Sequence, residues 1–185
     1  MVPLSALWIP IVLSAVIVFV ASSILHMVIP YHRSDYQRVP DEDNVRAALR
    51  AAGLKRGLYI LPYGTHQDMK SPAMMEKYKQ GPVGMLTVFD NGLPVMPKFL
   101  GQWFVFCLIV SFFVAYLTGH TVAPGLTYLQ VFRVAGTAGF LAYGLGRLSD
   151  GIWRGQPWSV VLKEVFDGLI YGLLTAGTFG WLWPR

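Results

Sequence analysis

Two ionisable residues stand where ionisable residues are costly. Arg133 and Asp167 each lie within a long apolar stretch of the chain, and an unpaired carboxylate at the centre of a membrane helix costs about 3 kcal/mol on insertion scales. Each therefore calls for a partner, and depth arithmetic offers one. If the helix holding Arg133 starts near Gly125 on one side of a bilayer, Arg133 lies about 12 Å in at 1.5 Å per residue. If the helix holding Asp167 starts near Pro157 on the opposite side, Asp167 lies about 15 Å in. The two depths sum to about 27 Å of a roughly 30 Å hydrocarbon core, which puts the groups at nearly one level. The spacing predicts an Arg133–Asp167 pair, with Gln130, Thr137 and Tyr171 completing its hydrogen bonds. Such a pair is a clasp between helices or part of a proton or ion path.

Other chemistries find little support. His26 and His32 fall near one end of the first apolar stretch and His120 near the opposite end of the second, so no two imidazoles at matched depth are expected to hold a haem. His66, Asp68 and Met69 form a weak H-x-D-M metal pattern. Ser22, Ser23 and His26 share a helix face but lack a placed acid, which suits interhelical hydrogen bonding better than hydrolysis. Gly81-Pro82-Val83-Gly84 lacks the Lys-Ser/Thr ending of a phosphate loop. Met69, Met74, Met75, Met85 and Met96 are spread over several predicted elements, a pattern of packing rather than copper binding. The single Cys107 excludes an intramolecular disulfide. No metal site and no catalytic set is expected, and nothing specifies a cofactor.

One further pattern concerns packing. Gly168, Gly172, Ala176 and Gly180 recur every four residues. A helix with that face nearly bare of side chains lets another backbone approach closely, a main source of helix attraction in lipid. Ala135, Ala138, Gly139, Ala142 and Gly146 give the preceding apolar stretch small-residue faces of its own.

The elements that must position these residues follow from composition. Of 185 residues, 54% are hydrophobic and 14% charged, whereas a soluble domain carries about 25% charged residues. That balance excludes a disordered chain, a basic nucleic-acid reader and most cytosolic enzymes. Four segments are long and apolar enough to span a bilayer: 4–28, 99–117, 126–145 and 158–182. The expected fold class is an all-α membrane protein of four transmembrane helices, with a small α+β cytoplasmic cap, residues 31–97, inserted between the first and second. Within the cap, Asp41 is placed to cap a helix that Gly53 ends. A second helix runs from Ser71-Pro72 to just before Gly81. Gly57 to Tyr63 reads as a strand, and Met85 to Phe89 with Leu93 to Met96 as a hairpin about Asp90-Asn91-Gly92.

Orientation follows from positive charge. The connection between the first and second stretches holds ten Lys and Arg, whereas 119–125 holds none, so the insert is expected in the cytoplasm and both termini outside an inner membrane. For function, small size, bare packing faces and the lack of a catalytic set favour a non-catalytic accessory or scaffold subunit of a larger membrane complex, respiratory or photosynthetic in type. Its partners would be the lipid bilayer and larger membrane proteins, not nucleic acid. Two alternatives are a small transporter or channel built on Arg133 and Asp167, and a membrane enzyme acting on a lipid or quinone through the cap and the inner-end histidines.

Overall fold

The computed structural model describes residues 1–184. It is mostly helical, at 68%, with two small strands, and it divides into two compact units. The first comprises Met1–Asp35 and Val95–Arg185, the second Tyr36–Pro94.

The first unit is built from four long helices. Helix α1 (Trp8–Ser23) continues through a wider turn at Ile24–Val28, closed by a hydrogen bond from Ile29 N–H to the Ile24 carbonyl at 3.0 Å. Together these 21 residues, and the 26 of α4 (Met96–Thr121), are long and apolar enough to cross a membrane. Helix α5 (Tyr128–Tyr143) is shorter, at 16 residues, about 24 Å. Helix α7 (Trp158–Trp181) is 24 residues long but carries Lys163, Glu164 and Asp167 in its first half. A short helix α6 (Leu148–Trp153) lies between α5 and α7.

Packing in this unit rests on small residues. Ser14 on α1 donates to Ser111 on α4 at 2.9 Å, both fully buried beside Ala15, Val18 and Val114. Near the other end of the same contact, Trp103 Nε1 donates to Ser22 Oγ at 2.7 Å. Helices α5 and α7 run antiparallel with their backbones almost touching. A Cβ added to Gly168 would lie 2.2 Å from Gly144 Cα, and one added to Gly172 would lie 2.8 Å from the Phe140 nitrogen. A Cβ added to Gly180 would lie 2.8 Å from the Tyr128 ring. Ala176 completes the stripe, fully buried and level with Gly136. The end of the chain is fastened by Trp183 Nε1, which donates to the Ala123 carbonyl at 3.0 Å.

The second unit contains helices α2 (Glu42–Ala51) and α3 (Pro72–Gln80), and strands β1 (Gly57–Leu61) and β2 (Gly84–Val88). The strands pair antiparallel, Gly57 opposite Val88 and Leu61 opposite Gly84. The predicted hairpin about Asn91-Gly92 is not formed, because β2 spends its ladder on β1, and residues 93–95 carry no strand. Asp41 sits in the left-handed region at φ 50° and caps no backbone N–H of α2; its carboxylate instead accepts from Asn44 Nδ2 at 2.7 Å. Ser71 does cap α3, accepting from Met74 N–H at 3.2 Å.

Candidate functional site

Pro30 brings the site together. Residue Ile29, extended as a residue before proline tends to be, ends the first long helix, and Pro30 opens a tight helical turn over Pro30–Ser34. That turn folds the chain back so that Tyr31, His32 and Asp35 meet the first half of α7. The wide turn at Ile24–Val28 belongs to the same device, since one extra residue in a helical turn re-aims the side chains beyond it, a feature frequent at functional sites.

Asp167 is the centre of the cluster and 3% exposed. One carboxylate oxygen accepts from the Tyr31 hydroxyl. The other lies 2.8 Å from His32 Nε2 and 3.8 Å from His26 Nε2. The two imidazoles stack with centroids 4.2 Å apart and planes 14° from parallel. Each has its Nδ1 committed elsewhere, His26 to the Ser22 carbonyl at 3.1 Å and His32 to Asp35 Oδ2 at 2.6 Å.

Lys163 ties the turn to α7. Its Nζ donates to the Tyr31 carbonyl at 2.7 Å, to Ser34 Oγ at 2.8 Å and to Asp35 Oδ1 at 2.6 Å. Burial pushes the Asp35 carboxyl up, but the hydrogen bonds from Lys163 and His32 outweigh it and hold the group below its ordinary range. His32 thus stands between two carboxylates, one at each ring nitrogen.

Beside the cluster lies a cleft of about 290 Å3 with a mixed lining. Met27, Met96, Leu100 and Trp103 are its apolar lining residues; His26, Asp167, Glu164 and Arg147 are polar ones. Tyr171 also lines it, one turn beyond Asp167, and its hydroxyl is buried with no hydrogen-bond partner among the described residues. Glu164 Oε2 is likewise without a hydrogen bond, its nearest cation being Arg147 Nε at 3.6 Å.

The residues singled out in the sequence are placed differently from one another. Asp167 and Tyr171 line the cleft, but Arg133 is not a partner of Asp167. It is exposed on α5 and forms no ion pair among the described residues. The reason is register: Gly168 meets Tyr143 and Gly144, so the level of Asp167 is the far end of α5. Arg133 lies about 15 Å further along. Gln130 is also elsewhere, its Oε1 accepting from the Thr127 N–H at 3.0 Å and hydroxyl at 2.9 Å in a cap of α5. Thr137 is exposed. The stripe Gly168, Gly172, Ala176 and Gly180 lies against α5.

In the second unit, the H-x-D-M segment holds an ordinary turn. Asp68 accepts from the Thr65 hydroxyl at 2.7 Å and N–H at 2.9 Å, and these bonds hold its carboxyl below its ordinary range.

Sequence reasoning missed Tyr31, His32, Asp35 and Lys163 as a set. One signal was available: two histidines flanking a proline at the end of an apolar helix, followed by an acid.

No protein-family model matches the chain, and neither a curated protein nor a solved structure matches it.

Proposed function

We propose that this chain is an inner-membrane protein of four spans, with both termini outside, which binds in its cleft an amphiphile of the lipid or quinone kind. The observation that carries the binding is the buried Tyr171 hydroxyl, without a hydrogen-bond partner among the described residues, on a residue that lines a cleft of mixed apolar and acid–base groups. A buried O–H without an acceptor costs about 1–3 kcal/mol, and a ligand oxygen at that point removes the cost. The lining sets two carboxylates, Glu164 and Asp167, against one guanidinium, Arg147, a balance that suits a neutral head with an acceptor, such as a carbonyl, better than an anionic one.

Support for four spans comes from the surface. Leu129 and Leu141 on α5, and Leu162, Phe166, Leu169 and Leu173 on α7, are exposed, as are Val105, Ile109, Phe112 and Phe113 on α4. Apolar surface of that extent is at home among lipid tails. The same surface suits a partner helix equally, so the accessory-subunit reading gains nothing specific from it.

Gentle detergent extraction followed by mass spectrometry of bound small molecules tests the reading. One class of amphiphile should be retained in stoichiometric amount, and Tyr171→Phe, which removes one oxygen, should lower retention about tenfold. No retained amphiphile, with Tyr171→Phe indistinguishable from the parent protein, would overturn it. Large proteins co-purifying one to one in place of an amphiphile would favour the accessory subunit.

A further inference from the structure

The two histidines and Asp167 support an inference beyond amphiphile binding. His26, His32 and Asp167 each present one ligand atom, and all three atoms lie within 4.8 Å of one another. A tetrahedral zinc-class ion with bonds of about 2.0–2.2 Å holds its ligand atoms about 3.3–3.6 Å apart. The observed 2.8 Å from His32 Nε2 to Asp167, and 3.8 Å from His26 Nε2, bracket that spacing. Shifts of about half an ångström bring both to it, and because the two rings stack 14° from parallel, one of them must also turn out of the stack for both Nε2 lone pairs to meet at the ion.

What sets this cluster apart from a chance meeting of polar groups is the far side of each ring. A ligating histidine almost always donates its other N–H to a carbonyl or carboxylate, which fixes the tautomer and aims the free lone pair at the metal. Both histidines satisfy that condition, His26 through the Ser22 carbonyl and His32 through Asp35. The Asp35 carboxylate is held in turn by Lys163 at 2.6 Å. Two neutral imidazoles and one carboxylate are a borderline donor set of nitrogen and oxygen, suited to Zn2+, Fe2+ or Co2+ rather than to Ca2+ or Mg2+.

We propose that His26 Nε2, His32 Nε2 and the Asp167 carboxylate bind one divalent transition-metal ion of the zinc class, with Asp35 as the residue that positions His32. Three protein ligands leave a coordination position open. Because His26 and Asp167 both line the cleft, a bound ion would sit beside it.

The test uses Co2+ alone as probe, on the full chain in detergent without added lipid, so its outcome is independent of amphiphile binding. One Co2+ per chain should bind with visible absorption bands of a low-symmetry nitrogen and oxygen site, and Zn2+ should displace it. His26→Ala should lower affinity roughly 100-fold; the ring is half exposed, so this variant folds. Asp35→Asn, which keeps an acceptor for His32 but removes its charge, should lower affinity about tenfold with the absorption bands retained. His66→Ala and His120→Ala should change nothing. Sub-stoichiometric binding without those bands, or affinity unaltered by His26→Ala, would overturn the proposal.

Discussion

Lys163 does more for the site than its position in an apolar helix suggests. Three hydrogen bonds from one ammonium hold the Pro30–Ser34 turn against α7, and the same contact fixes Asp35, which aims His32. Lys163→Met keeps the length and the apolar stem but removes all three donors and leaves Asp35 largely buried without its cation. Loss of one partner of such a pair costs about 3 kcal/mol, so thermal unfolding in detergent should occur at clearly lower temperature, with His32 freed to exchange its ring proton. A second polar contact, in the insert, responds to pH with a definite sign. The Asp68 carboxyl is held low by Thr65, so its contribution is present above the ordinary carboxylate value, near pH 4, and is lost as pH falls through its lowered value. The protection factor of the Thr65 amide, its exchange rate relative to the unstructured chain at the same pH, should therefore fall on acidification below about pH 4, and in Thr65→Val that pH dependence should weaken.

Helices α5 and α7 show how far spacing alone could be read. The four-residue repeat at Gly168, Gly172, Ala176 and Gly180 was visible because small residues at that period have one physical use, close approach of another backbone. The structure gives that approach a measure. Gly168→Ala places a methyl 2.2 Å from Gly144 Cα, backbone that cannot rotate aside, and should destabilise by about 2–3 kcal/mol. Gly146→Ala, where a Cβ would meet nothing within 4 Å, should be neutral in the same unfolding measurement. The Arg133–Asp167 pair was not legible, because depth counted from assumed helix ends is uncertain by several residues, whereas the true register is set by which glycine meets which. Arg133→Gln and Asp167→Asn should accordingly give additive changes when combined, with Arg133→Gln costing less than about 0.5 kcal/mol. Coupling above about 1 kcal/mol would show that the two charges meet after all. The site escaped sequence reading for a related reason: it depends on the turn that Pro30 imposes, and hydropathy carries no record of where a chain turns back.

Taken as one body, the proposed four-span protein makes a further prediction that charge placement alone supports. A reporter fused after Gln80 should be active only in its cytoplasmic form, and a reporter fused at the C-terminus only in its external form. The reverse pattern would invert the orientation, and a cytoplasmic C-terminus together with a cytoplasmic insert would remove α5 or α7 from the set of spans. The hydropathy of α1 and α4 made those two helices plain from composition. The other two long helices are less plain because one is short and the other carries the charged groups of the site in its first half.

The order in which a ribosome delivers these parts gives the Pro30 turn another meaning. His32 and its acceptor Asp167 are separated by 135 positions, on the order of ten seconds of synthesis at 5–20 residues per second. During that interval Tyr31, His32 and Asp35 have already emerged, while the carboxylate and ammonium that will hold them have not. The last long helix to be made thus closes the site and anchors the turn. A chain halted before it would keep His32 on Asp35 and His26 on the Ser22 carbonyl, but would present Tyr31 without its carboxylate and Asp35 without its ammonium.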